Sequence, residues 1–122
     1  MPHVILTTNV PVPDEKALVL QLGEVSSSIL GKPVQAFMIQ YKYDPTMAFA
    51  GSFDPAWMLQ IYALGIFGEE ANEKFTKGYW EFAASLGLPA DRGYITFFDP
   101  GWDHWAARGA TLAFRDPKKQ QA

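Results

Sequence analysis

The chain contains no cysteine. That excludes a disulfide framework, a thiolate nucleophile and a CxxC redox pair. Histidine is almost as scarce. His3 and His104 are the only two, too few for the usual zinc donor sets, so no metal is expected; no cofactor is expected either. Charged residues make up 19% and the net charge is −3, which removes the basic footprint of a nucleic-acid binder. No apolar run approaches the roughly 20 residues that a membrane span needs, so no membrane partner is expected. A basic segment followed by an apolar one is also missing from the start. No signal peptide is therefore evident, and the expected location is cytoplasmic, or secreted without a signal peptide.

What is present is apolar: 48% of 122 residues. A chain of this length is one domain that buries roughly 65% of its unfolded surface. Pro2 follows the initiator Met1 and opens the apolar run Pro2-His3-Val4-Ile5-Leu6. Initiator methionines are removed when the next residue is small. Removal here leaves a secondary amine held by its ring, able to take up a proton.

The chain repeats itself. Pro2 to Thr7 reads as a buried strand. Asp14 is placed to N-cap a helix in which Leu18, Leu22, Val25 and Ile29 recur at helical spacing. Gly31 suits the left-handed residue past a helix end, and Pro33 bars continuation. Val34 to Tyr43 then reads as a second strand. In the second half Trp57 to Leu64 is a strand and Gly65 to Gly68 a turn. Glu69 and Glu70 favour a helix start, and Ala71, Phe75, Tyr79, Phe82 and Leu86 form one stripe. Gly87 and Pro89 end it, and Gly93 to Asp99 is a strand. Gly31 and Gly87 stand in the same relation as Pro33 and Pro89, a shift of 56 read from the numbering. The predicted fold class is α+β: a duplicated β-α-β unit forming a four-stranded sheet with two helices on one face. Strands two and three carry apolar residues of both parities, so the uncovered face calls for a partner, and a homo-oligomer is the economical one.

Several segments then carry a resemblance: Thr8-Asn9-Val10-Pro11, Val12-Pro13-Asp14, Gly31-Lys32-Pro33, Met47-Ala48-Phe49 with Gly51-Ser52, Leu64-Gly65, and Pro89-Ala90-Asp91-Arg92 leading into Tyr94-Ile95. In their order and spacing the chain resembles the macrophage migration inhibitory factor and D-dopachrome tautomerase family. The resemblance implies residues 1–114 as one tautomerase domain and a homotrimer whose sheets line a central barrel, with active sites at subunit interfaces. Residues 115–122, polar and charged, extend beyond the family's usual end and are expected to be a disordered tail.

The reaction implied is keto–enol tautomerisation of an aromatic α-keto acid such as phenylpyruvate. Pro2 nitrogen, once Met1 is gone, is the implied base and then acid. An ordinary α-amino group has a pKa near ~8, and an apolar pocket and a nearby cation both favour its neutral form. Lys32 is implied to pair with the substrate carboxylate. Its other reading is a lysine complementing a helix C-terminus. Tyr94 is implied to enter the site from a neighbouring subunit, against a plain reading as a strand aromatic. Leu64 stands where the family offers a backbone N–H to a substrate oxygen. Thr96 replaces the family's asparagine, and Phe114 is its candidate apolar wall.

The departures are equally specific. Phe98 stands for a tyrosine, and Ala36 for an aromatic, which widens the pocket mouth unless Phe37 compensates. Ala56 and Leu59 stand where the mammalian cytokine has cysteines, which excludes thiol-disulfide activity. Residues 100–110 have no good match to the family's Gly-Trp-Asn segment. There Trp102, Trp105 and Arg108 either line the pocket and alter substrate choice, or, for the tryptophans, pack at the trimer interface. His104 reads as a surface or interface residue.

Two other functions compete. Superfamily members that hydrate or dehalogenate acrylates need added arginines. This chain has Arg92, Arg108 and Arg115, and none between Leu64 and Tyr79. A cytokine-like signalling or binding protein with a vestigial pocket is the other.

Overall fold

Asp14 starts the first helix as the sequence predicts: its Oδ1 accepts from the Ala17 N–H at 3.0 Å. The structure, a computed structural model, describes residues 1–115. Helix α1 (Glu15–Leu30) ends at Gly31, whose φ of 68° is the left-handed conformation that glycine adopts without a Cβ penalty. Before it runs β1 (His3–Thr8) and after it β2 (Met38–Tyr43). The second unit is β3 (Trp57–Tyr62), α2 (Glu69–Ser85) and β4 (Gly93–Phe98).

The sheet order is β2-β1-β3-β4. β1 pairs parallel with β2, β3 parallel with β4, and β1 antiparallel with β3 down the middle. The central seam relates the two β-α-β units by a pseudo-twofold, so the duplication read from the sequence is the architecture. Val4, Leu6, Leu59 and Ile61 face the helices and meet Leu18, Leu22, Tyr79 and Phe82 in one core. Full burial of a leucine such as Leu22 is worth roughly 1.5–3 kcal/mol. On this side Gly93 lies under Trp57: a Cβ there would fall 2.0 Å from the indole.

The opposite face is open. The pairing register places Met38, His3, Tyr62 and Phe98 in one cross-strand row, Gln40, Ile5, Gln60 and Thr96 in the next, and Lys42, Thr7, Met58 and Tyr94 in a third. One aromatic-rich row is thus followed by a largely polar one and then by a mixed one. The face is amphipathic rather than apolar throughout.

Two expectations need correction, and the structure adds a hairpin not predicted from the sequence. Val34–Ala36 is a 3-10 turn, not strand. Pro33, with φ fixed at −67°, begins a reversal in which Ala36 N–H bonds to Pro33 O and Phe37 N–H to Val34 O. Residues 106–111 form a hairpin, β5 (Ala106–Ala107) and β6 (Ala110–Thr111). Its turn residues Arg108 and Gly109 both have positive φ, which matches strand twist. Finally Arg115, assigned to the tail, closes the short helix α3 (Leu112–Arg115) and donates to Ala107 O at 3.3 Å. The rest of that tail lies outside the described residues.

Candidate active site at the start of the first strand

β1 and β2 are parallel, so α1 carries the chain back along the sheet. Its C-terminal end therefore lies at the end where β1 begins. That brings Lys32, one residue past Gly31, to the same end of the molecule as Pro2. The Lys32 carbonyl accepts from Ser27 Oγ at 2.5 Å, which fixes the backbone as it leaves the helix.

Pro2 is less than 2% exposed. Its carbonyl accepts from the Met38 N–H at 3.0 Å, so the ladder between β1 and β2 begins at the second residue. It lines a cleft of about 500 Å³ with Met1, His3, Ala36, Phe37, Met38, Trp105, Ala106 and Ala107. Apolar side chains dominate this lining. Ala36, Ala106 and Ala107 keep it wide, and Phe37 does not close it. Trp105, left between two roles by the sequence, lines the cleft of its own subunit. His3 stacks on Tyr62 at 5.7 Å and its Nε2 meets the Gln40 amide oxygen at 2.5 Å. A shallower hollow of about 330 Å³ shares His3, Trp105 and Ala106 with the cleft. Another, of about 360 Å³, lies on α1 around Val19, Leu20 and Tyr41, away from all of these residues.

Leu64 follows β3, which runs antiparallel to β1. The register that pairs His3 with Tyr62 continues to set Pro2 beside Ala63, next to Leu64. The Ala63 N–H is taken by Phe98 O and the Gly65 N–H by Asp99 Oδ2. Leu64 lies between them, opposite Met1 in the continued register. Its side chain is buried.

Tyr94 and Thr96 are not brought to Pro2 within one chain. They lie on edge strand β4, two strands from β1, on the open face. Tyr94 is 60% exposed. Phe114 sits on α3, 86% exposed, and is not part of the cleft lining. Trp102 packs over Gly65, 3.7 Å from where its Cβ would stand. Arg108 is at the exposed tip of the hairpin whose first strand lines the cleft. Among the described residues no group of three or more histidine, aspartate or glutamate side chains is placed to hold a metal ion. No helix among them is long and apolar enough to cross a membrane.

The profile of the family described as Macrophage migration inhibitory factor (MIF) matches residues 1–113. The chain belongs to that family. It is 31% identical over 117 residues to the macrophage migration inhibitory factor of Meriones unguiculatus, covering 93% of this chain and 100% of that one. It is 32% identical over 101 residues to the D-dopachrome decarboxylase of Gallus gallus, covering 80% and 86%. The crystal structure of the macrophage migration inhibitory factor homologue from Prochlorococcus marinus superposes with a TM-score of 0.81 at 26% identity, covering 90% of this chain and 98% of that one. The α+β fold predicted from the repeat is thus the fold of the macrophage migration inhibitory factor family.

Sequence reasoning named Pro2 and Ala36 but not Ala106 or Ala107. Alanines in a segment without a motif carry no chemical signal. Only the hairpin turn at Arg108-Gly109 would have placed them.

Proposed function

We propose that this protein is a keto–enol tautomerase of aromatic α-keto acids such as phenylpyruvate, with Pro2 nitrogen as general base and acid. Family membership supports a tautomerase-type function. The observation that carries the finer reading is the place of Pro2 in the wall of a wide, largely apolar cleft. Apolar walls around a secondary amine disfavour its charged form and leave more of the neutral form that can accept a proton.

The chemistry follows from the surroundings. The amine removes a proton from the carbon beside the carbonyl and returns it at the other end of the enol system. Lys32 pairs with the substrate carboxylate. The Leu64 N–H meets the carbonyl oxygen where negative charge develops. The apolar walls, Phe37 and Trp105 among them, receive the aromatic ring. Tyr94 and Thr96, remote from Pro2 in one chain, complete the site from a neighbouring subunit of a homotrimer, with Phe114 an outer apolar contact.

The hydration and dehalogenation alternative loses support from the arginines. Arg92 is committed to loop carbonyls, and Arg115 to Ala107. Arg108 alone is placed at the rim of the cleft.

With Met1 attached, the Pro2 nitrogen is an amide and cannot act as a base. Activity therefore requires removal of Met1. The test is intact mass together with phenylpyruvate enolisation for the wild type, a Pro2→Gly variant and a chain extended at the N-terminus. Turnover is expected only in protein lacking Met1, and Pro2→Gly is expected to lower kcat/KM by about 100-fold or more, the usual weight of a positioned acid–base group. Undiminished activity in Pro2→Gly overturns the assignment. No turnover by processed wild type favours a binding role instead.

A further inference from the structure

The connection between β2 and β3 runs over residues 44–56 with a single backbone bridge of its own, between Phe49 and Ser52. Ala50 and Gly51 form its tip with φ of 52° and 76°. A connection this poor in internal pairing is mobile by default. Thr8 Oγ1 ties its last residue through Ala56 O at 2.7 Å, and two other distant side chains hold its body. Arg92, just before β4, donates from Nε to Pro55 O at 2.8 Å and from Nη2 to Asp54 O at 3.0 Å and Phe49 O at 3.1 Å, with Ser52 Oγ at 3.2 Å. Asn9, just after β1, donates from Nδ2 to Asp54 O at 3.0 Å and to Met47 O and Phe53 O at 3.1 Å, while its Oδ1 accepts from the Ala56 N–H at 2.9 Å.

The clamp fixes one ring in particular. Arg92 Cζ stands 5.1 Å from the centroid of Phe49, a cation–π contact. The same Phe49 ring lies 5.4 Å from the Tyr94 ring at an interplanar angle of 48°. Tyr94 is exposed on an edge strand, and its hydroxyl has no hydrogen-bond partner among the described residues. A ring so placed samples several rotamers unless a neighbour selects one, and fixing it beforehand removes an entropic cost from binding.

We propose that Arg92 and Asn9 are positioning residues for the site: by clamping the 44–56 loop they hold Phe49 against Tyr94 and set the orientation in which a neighbouring subunit receives the Tyr94 phenol. The proposal rests on the tautomerase reading above. It assigns the loop a role in substrate binding although no loop residue lines the Pro2 cleft of its own chain. Several carbonyls converge on one guanidinium, and a lysine ammonium cannot reproduce that fork.

The experiment is steady-state turnover of phenylpyruvate by full-length, Met1-processed protein carrying Phe49→Leu, Phe49→Tyr, Arg92→Lys or Tyr94→Ala, and the first and third changes each combined with Tyr94→Ala. Phe49→Leu is expected to raise KM about fivefold, or about 1 kcal/mol at ~1.36 kcal/mol per decade, with kcat unchanged within about twofold. Phe49→Tyr, which keeps the ring, should restore the wild-type KM. Arg92→Lys should act like Phe49→Leu and supplies the same test if that variant does not fold. In the Tyr94→Ala background neither change should move KM further. The proposal is overturned if either KM shift persists without the tyrosine ring, or if Phe49→Leu and Arg92→Lys lower only the melting temperature. Failure of the tautomerase reading looks different, since processed wild type then shows no turnover at all, and this proposal falls with it.

Discussion

The Tyr79 hydroxyl donates to Ser26 Oγ at 2.8 Å, and the two residues sit on different helices, one from each half of the duplication. Both are almost fully buried. Each hydroxyl therefore finds its partner in the other half, and neither can turn to water.

Burial pushes the Tyr79 hydroxyl up to about 12 from an ordinary 10.0, against a smaller opposing effect of the bond to Ser26. The folded chain thus keeps a proton that the unfolded chain loses earlier. This contribution to stability is fully present below pH 10 and is lost as pH rises towards 12, by roughly 2–3 kcal/mol. Tyr79→Phe should flatten that alkaline limb in urea unfolding curves. At neutral pH the same change should cost about 1–2 kcal/mol, because the Ser26 hydroxyl stays buried without its donor.

Gly93 has no room for a side chain. Its Cβ would meet Cε2 of Trp57 at 2.0 Å and Nε1 at 2.4 Å. That indole is itself pinned by donating to Pro89 O at 2.8 Å and by an edge contact with Trp80 at 4.7 Å. Gly93→Ala should lower stability by about 2–3 kcal/mol through overpacking. The check is the urea midpoint together with the near-ultraviolet signal of the tryptophans, which should report a displaced Trp57.

Ala50 is a non-glycine residue at φ 52°, followed by Gly51 at φ 76°. A turn with two positive φ values favours Asn-Gly, and an alanine there is strained by roughly 1 kcal/mol. Ala50→Asn should therefore stabilise the chain by about 0.5–1 kcal/mol. An unchanged or lower unfolding midpoint would count against the turn assignment.

If Lys32 pairs with the substrate carboxylate, Lys32→Gln should raise KM for phenylpyruvate by about 10-fold or more, the loss of one charge-assisted hydrogen bond. Lys32→Arg should recover part of it. Equal KM in wild type and Lys32→Gln would leave this lysine as a plain helix-end residue.

Much of the fold was legible because its signals are local and repeated. Asp14, Gly31, Gly87 and the two helical stripes each act within a few residues, and the shift of 56 tied them together. Val34–Ala36 misled because Val34 and Phe37 look like strand residues, while Pro33 sets the backbone ahead of them. The site was legible where a residue type carries its chemistry, as Pro2 and Lys32 do. Ala106 and Ala107 matter for the volume they leave empty, and absence of bulk has no signature. The roles of Asn9 and Arg92 were hidden for another reason. Their partners are backbone carbonyls of a loop remote in sequence from both, and every residue has a carbonyl.

That loop also has a mechanical meaning. It is the covalent hinge between two β-α-β units whose lasting contacts lie elsewhere, in the β1–β3 seam and the packing of α1 against α2. The clamp straddles the hinge: Asn9 reaches it from the first unit and Arg92 from the second. A protease nick between Ala50 and Gly51 would therefore release nothing. Two peptides, residues 1–50 and 51–122, would remain stitched along the seam, with Arg92 of the second still gripping the Phe49 carbonyl of the first. The protein is built as a pair of halves that would stay joined after their connection is cut.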